Sequence, residues 1–255
     1  SAIPPTINVM EKTTLPLAGM TLLITGGARR LGRTMALAAA KAGSDVILHH
    51  GHSQEQARQL VEEIGLLGRK AWALQTDLSD PFQVKSLVDS AFSIAPVSAM
   101  INNAAIFADI DFRSTTLEDW NDHLQINLTA PFILGQGFAE KYHSDKQGRI
   151  INVLDWRALR PGKDHFAYTI SKSALAAMTR SMALSLAPGI AVNGIALGAI
   201  LPPPGEDFND SFIKNVPMKR WCSLNELEDL IVFLLNAPPY ITGEIIHLDG
   251  GRHLV

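Results

Sequence analysis

The chain has 255 residues, 47% of them hydrophobic and 18% charged, with a formal net charge of -3. That is enough for one large α/β domain or two small ones, and the mild acidity argues against a nucleic-acid partner held by charge. No run approaches the ~18 uninterrupted apolar residues of a membrane helix, and the single Cys222 excludes an intrachain disulfide and a thiolate metal cluster.

A reducing, cytoplasmic setting is the expectation, with no metal site. Residues 1–19, where Pro4 and Pro5 are adjacent, are expected to form an N-terminal extension without the apolar core of a signal peptide. Residues 20–255 are expected to form one dinucleotide-binding catalytic domain. The first strand is read at 21–25. It runs into Gly26, Gly27, Ala28, Arg29, Arg30, Leu31, Gly32 and Arg33, then into an alanine-rich helix over 31–43. Glycines at a strand-to-helix turn let the backbone approach a phosphate, and the helix N-terminus adds about half a positive charge. A tight connection is the plainer reading, but the first βα turn of the chain favours the dinucleotide.

The second strand, 45–49, ends in His49, His50, Gly51, His52 and Ser53. An acid here would accept from a ribose 2′-hydroxyl and repel a 2′-phosphate. None is present, while Arg29, Arg30 and Arg33 crowd the preceding turn, and guanidinium groups suit phosphate. Ser53 offers a hydroxyl and His49 or His52 a further donor, so NADP(H) is expected rather than NAD(H). Solvent-facing side chains are the competing reading. After a helix at 54–67 and a third strand at 70–75 come Asp77, placed to meet an adenine amino group, and Leu78. A helix at 80–93 leads to a strand at 99–102 and the run Asn102, Asn103, Ala104, Ala105, whose small side chains and amides let a ribose come close.

A long helix is read at 117–143 and a strand at 149–154, followed by Asp155 and Trp156. Arg157, Arg160 and Lys163 form a basic stretch, read first as a solvated loop and second as a contact for an acidic substrate tail. The helix at 166–187 carries Tyr168 and Lys172 four apart, so both project from one face. A nearby ammonium favours the phenolate and would pull the tyrosine pKa down from about 10 toward neutrality. The sixth strand is read at 190–195, with Asn193 to Ala199 lying where a nicotinamide amide would pair with backbone groups. Residues 197–216, with Pro202, Pro203, Pro204 and Gly205, are either a substrate lid or a variable surface loop. A helix at 224–236 and a strand at 244–248 complete the chain. Strands apolar on nearly every residue are buried on both faces, which predicts a seven-stranded parallel sheet, doubly wound and Rossmann-like, covered by helices.

Taken together, Thr25 to Gly32, Asp77, Asn102 to Ala105, Asn127, the Tyr168/Lys172 pair and Leu248 to Gly251 resemble the short-chain dehydrogenases/reductases over residues 20–251. Three positions depart from that pattern: Arg30 replaces the usual second glycine, Asp155 replaces the serine 13 residues before the tyrosine, and Leu197–Gly198 replaces proline-glycine. The first two are shared by the pteridine reductases and dihydromonapterin reductases, which the Arg30–Arg33 turn, the His49–Ser53 stretch, Phe107 and the ending Asp249 to Leu254 also resemble.

The resemblance implies hydride transfer from NADPH, with Tyr168 donating a proton. Lys172 would lower the tyrosine pKa and bind the ribose hydroxyls, and Asn127 would hold a water linking the lysine to solvent. It adds Leu31, Leu78, Gly198 and Ile200 to the cofactor-binding set and implies a homotetramer built through 117–143, 166–187 and the last strand. An ionised Asp155 only accepts hydrogen bonds and would repel a developing oxyanion, so a ketone fits poorly. A pterin, flat, rich in N–H donors and needing protonation at a ring nitrogen, fits better. Phe107 would stack on it and Trp156 would widen the aromatic wall, although ordinary packing explains either ring. The alternatives are a 3-oxoacyl thioester or ketone reductase, a non-catalytic NADPH-binding sensor, and an Asp155 that merely caps the following segment.

Overall fold

The computed structural model describes residues 14–203 and 205–255. Pro4 and Pro5 of the expected extension and Pro204 of the expected lid lie outside the described residues. Seven strands, β1 (Thr21–Ile24), β2 (Asp45–His50), β3 (Ala71–Gln75), β4 (Ala99–Asn102), β5 (Gly148–Asp155), β6 (Ile190–Leu197) and β7 (Ile245–Leu248), form one sheet in the order β3-β2-β1-β4-β5-β6-β7. Every pairing is parallel. The helices are α1 (Arg30–Lys41), α2 (Gln54–Leu66), α3 (Pro81–Ile94), α4 (Leu117–Leu124), α5 (Ala130–Lys141), α6 (Phe166–Leu186) and α7 (Leu224–Leu235).

Side chains alternate across the sheet because the strand period is two. Leu22, Ile24, Val46, Leu48 and Ile101 pack on α1, α2 and α7, whereas Leu23, Ile47, Met100, Ile150 and Val192 pack on α3 and α5. Both sets are fully buried or nearly so. At roughly 1.5–3 kcal/mol per buried aliphatic side chain, burial on both faces explains why these runs are not amphipathic. Strand order reverses between β1 and β4, and the crevice beyond their carboxyl ends is where such sheets hold ligands.

Two elements differ from their sequence reading. The helix expected over 117–143 is interrupted by a π turn, Gln125–Thr129. Pro131 lacks the N–H that an α-helix would return to the Asn127 carbonyl, and the wider turn absorbs that defect. Strand β6 runs on to Leu197, so Asn193 to Leu197 lie within the sheet. Asn193 there donates to the Ile241 carbonyl (3.1 Å) and accepts from the Glu244 N–H (3.0 Å), tying β6 to the approach to β7. It is not placed to meet a nicotinamide, and only Gly198, Ala199 and Ile200 emerge from the strand end.

Among the described residues no helix is long and apolar enough to cross a membrane, and no group of three or more His, Cys, Asp or Glu side chains is placed to hold a metal ion.

Candidate functional site

The glycine turn is held by three neighbours. Gly26 takes φ +61, and a Cβ on Gly32 would sit 2.0 Å from the Gly26 carbonyl oxygen, so that approach admits glycine alone. Asn103 Nδ2 donates to the carbonyls of Thr25 (2.9 Å) and Gly26 (3.1 Å), and the Asn103 and Ala104 N–H groups both donate to Thr25 Oγ1 at 3.0 Å. Ala104 packs against Gly26, where a larger side chain would collide. Arg30, the departure from glycine, adopts φ +51 and places its guanidinium on the Pro202 carbonyl at 2.6 Å. The first turn of α1 carries no acid and its Arg29 N-cap makes no side-chain cap, so the positive helix end is left for an anion.

His49 is the third neighbour, and here the sequence reading is corrected. Its ring is buried: Nδ1 accepts from the Gly26 N–H (3.1 Å) and Nε2 donates to the Thr76 carbonyl (3.0 Å). That pairing assigns the neutral tautomer, and burial pushes the ring pKa down to about 4. Both nitrogens are occupied, so His49 cannot donate to a phosphate; it latches the glycine turn to β2 and β3. His52 is exposed and Ser53 half-exposed, its hydroxyl free of any capping bond. Arg29 is exposed, and Arg33 pairs with Glu63 at the surface. Asp77 accepts from the N–H and hydroxyl of Ser79, which hold its carboxyl below the ordinary range. Leu78 is buried and its carbonyl accepts from Gln125.

Asp155 ends β5, 13 residues before Tyr168 on α6, and the fold brings them together. Asp155 Oδ2 accepts from the Tyr168 hydroxyl at 3.2 Å, while Oδ1 accepts from the Arg157 N–H at 2.8 Å. Lys172 is buried, donates to the Val153 carbonyl at 2.7 Å, and has its Nζ 5.8 Å from the Tyr168 ring centroid. Burial moves all three toward their neutral forms. Asp155 is raised; Lys172 is lowered to about 8. Tyr168 is raised well above its ordinary value, by burial first and by the Asp155 carboxylate second. The shift runs opposite to the depression expected from Lys172, because burial outweighs it and the nearer charge is the carboxylate.

Asn127 lies behind the tyrosine. Its Nδ2 donates to the Ile106 carbonyl and Ser171 Oγ, both at 3.0 Å, and its Oδ1 accepts from the Ile106 N–H at 2.9 Å. Ser171 Oγ in turn donates to the Tyr168 carbonyl at 2.7 Å. Both amide hydrogens are committed, so the side chain braces Tyr168 against the segment after β4.

Phe107 is 44% exposed, so it is not core packing. It stacks on His165 (centroids 4.1 Å apart) and meets the edge of Tyr168 at 4.7 Å. Sequence reasoning missed His165, a buried residue at φ +48 that enters α6 and donates from Nδ1 to the Ala108 carbonyl. A histidine just ahead of the tyrosine helix was the available signal. Arg157 is not part of a solvated loop. It is half-buried, donates to Asp164 (3.1 Å), lies 3.7 Å from Asp155, and places its guanidinium 4.8 Å over Trp156. Arg160 and Lys163 are exposed. A Cβ on Gly198 would strike the Asp249 backbone at 2.6 Å, and Ile200 is buried against the sheet.

Comparison with known proteins agrees with this geometry. The family model described as short chain dehydrogenase matches residues 20–211. A 3-oxoacyl-[acyl-carrier-protein] reductase, FabG, of Aquifex aeolicus is 31% identical, covering 93% of this chain and 98% of its own. The crystal structure of FolM alternative dihydrofolate reductase 1 from Brucella suis, in complex with NADP, superposes with a TM-score of 0.86 at 32% identity, covering 92% of this chain and 96% of that one. A blue fluorescent protein from a metagenomic library, in complex with NADPH, matches with a TM-score of 0.86 at 31% identity, covering 93% and 99%.

Proposed function

The chain belongs to the short-chain dehydrogenase family, and from that premise we propose that it is an NADPH-dependent reductase of a dihydropterin-type small molecule. The observation that carries this reading is the 3.2 Å contact between Asp155 and Tyr168 beside the half-exposed Phe107. The Brucella suis and metagenomic structures hold NADP and NADPH, and the former is described as an alternative dihydrofolate reductase.

The residues fit such a cofactor. The close approach of Gly26 and Gly32 and the uncapped start of α1 would take its pyrophosphate. Ser53, His52 and Arg29 surround a β2 end that carries no acid, which suits a 2′-phosphate. When bound, the cofactor supplies the hydride that adds to a ring carbon.

The remaining steps belong to the chain. Tyr168, protonated at neutral pH, donates to the adjacent ring nitrogen. Asp155, its pKa raised by burial, returns a proton to the tyrosine oxygen across the hydrogen bond, and takes its own replacement from solvent. Lys172, anchored on the Val153 carbonyl, keeps two further N–H donors for ribose hydroxyls. Phe107, backed by His165, offers its exposed face to the flat ring. Assembly as a homotetramer through the α4–α5 and α6 faces belongs to the same reading, and light scattering of the purified chain tests it.

One observation favours a second reading. A buried Asp155 that keeps its proton is a donor, and would serve a carbonyl oxygen as a serine hydroxyl does. The Aquifex aeolicus relative is a 3-oxoacyl reductase. The deciding experiment compares NADPH oxidation with dihydrobiopterin and with acetoacetyl-CoA, in the wild type and in Asp155→Ser. Pterin turnover lost in the variant while ketone turnover rises supports the dihydropterin reading. Carbonyl turnover alone in the wild type would replace it with the oxoacyl reading, and NADPH binding without turnover of either would make the chain a sensor.

A further inference from the structure

Beside the reacting groups lies a cavity of about 650 Å3 lined by Trp156, Arg160, Lys214, Asn215, Lys219 and Arg252, among others. Four of those side chains are cationic, no lining side chain is acidic although the last residue, Val255, also lines the cavity, and none of the four cations forms an ion pair among the described residues. The nearest carboxylates are already engaged. Asp164 is bonded to Arg157, and Asp249 to His253 and to the Gly251 N–H.

Arg252 rests 4.6 Å over the Trp156 ring and donates to the Asn215 carbonyl at 3.3 Å. Burial and its neighbours Arg160 and Arg157 press on its charge. Lys219, at φ +54, donates from Nζ to the Lys214 carbonyl at 2.8 Å, so a strained residue holds one wall. Asp164 and Asp249 offset only part of the pressure on Arg252, and like charges crowded this way cost free energy that a bound anion relieves.

The cavity adjoins the reacting end through Trp156. Trp156 follows Asp155 in the chain, and the Arg157 guanidinium spans the two, 3.7 Å from the Asp155 carboxylate and 4.8 Å from the Trp156 ring. A flat ring stacked on the exposed face of Phe107, with a ring nitrogen at the Tyr168 hydroxyl, would therefore have Trp156 and this basic cavity within reach beyond Asp155.

We propose that the cavity is a second subsite that takes a multiply anionic tail, dicarboxylate or diphosphate, attached to the ring that is reduced at Tyr168. The subsite deepens the reductase reading and rests on it, so its test uses probes that carry no reducible ring. Calorimetry on the NADP(H)-loaded enzyme would use p-aminobenzoylglutamate as the dicarboxylate and inorganic pyrophosphate as the diphosphate, with sulfate as the non-specific control.

One of the two probes is expected to bind more tightly than sulfate, and the one that does identifies the tail. Arg160→Gln and Lys214→Gln alter exposed side chains, and each should weaken that probe about three- to tenfold, as charge-assisted contacts do. The ratio of kcat/KM for dihydrofolate over dihydrobiopterin should fall by the same factor. Affinity no better than sulfate for both probes, or affinity unmoved by both substitutions, overturns the proposal. Probe binding without any pterin turnover leaves the anion subsite standing and removes the reductase reading. Dihydrobiopterin turnover without probe binding does the reverse.

Discussion

Replacing Asp155 with asparagine isolates its charge, because the amide keeps the shape and still accepts from the Arg157 N–H. At 3.2 Å from the Tyr168 oxygen, an ionised carboxylate repels a phenolate by about 5 kcal/mol at an effective dielectric of ~20. That corresponds to roughly 3–4 pKa units. The two groups therefore do not ionise together, and in the proposed mechanism a tyrosine that has given its proton away is refilled from Asp155. Burial raises the Asp155 pKa above the carboxylate range, and its acid form is lost as pH rises through that raised value. In the wild type kcat/KM for dihydropterin reduction should accordingly decline above it. In Asp155→Asn that limb should vanish and the rate should drop about 10²-fold, the usual contribution of a positioned proton donor. Stopped-flow NADPH oxidation across the pH range measures both. A variant with the wild-type pH profile, or a loss below about threefold, refutes the proton-relay role.

Lys172 is pulled from 10.5 to about 8. At ~1.4 kcal/mol per unit, keeping it charged costs the fold about 3 kcal/mol near neutral pH. The penalty is complete below pH 8 and fades as pH rises toward 10.5, so wild-type stability should climb across that window. Lys172→Met should be flat there and, after losing the bond to Val153, equal to or slightly above the wild type at neutral pH, while losing NADPH oxidation; urea titrations at neutral and alkaline pH would show a clear loss of stability if the reasoning fails. Gly32→Ala puts a methyl where only 2.0 Å separates it from the Gly26 oxygen, so the turn must open. NADPH affinity by fluorescence titration should fall tenfold or more, on the order of 1.4 kcal/mol, and an unchanged affinity would remove the glycine turn from the cofactor site.

The seven strands and most helices were legible because their apolar runs and periods are local properties. Their ends shift by one or two residues, as β6 does, where Ala196 and Leu197 remain in the ladder. The break at Gln125–Thr129 had a local cause in Pro131 that a run of helix formers on either side concealed. What the sequence could not disclose depends on groups meeting from distant segments. His49 looks like a donor at a strand end until Gly26 and Thr76 close on both ring nitrogens. Lys172, four residues from Tyr168, looks like its nearest charge until the β5–α6 approach sets Asp155 against the hydroxyl. Arg157 belongs to a run of surface-like cations, yet Asp155 and Asp164 draw it inward.

The charges of the reacting groups bear on the reaction in both directions. Burial shifts Asp155, Tyr168 and Lys172 each toward its neutral form, opposite to the ion-paired arrangement anticipated from the Tyr168/Lys172 spacing. A tyrosine that accepts a proton from an alcohol must first be ionised, which the Asp155 carboxylate opposes by several kcal/mol at this distance. A tyrosine that gives a proton to a substrate needs only to be neutral, and the carboxyl behind it supplies the replacement. Aspartate in place of serine at this position thus disfavours a standing tyrosinate, whichever way the reaction runs. A serine there would remove the repulsion without offering a proton store. If Asp155 is the proton store of the proposed reductase, Asp155→Ser should lower kcat/KM for dihydropterin reduction and for its reverse by the same factor, because the equilibrium constant fixes their ratio.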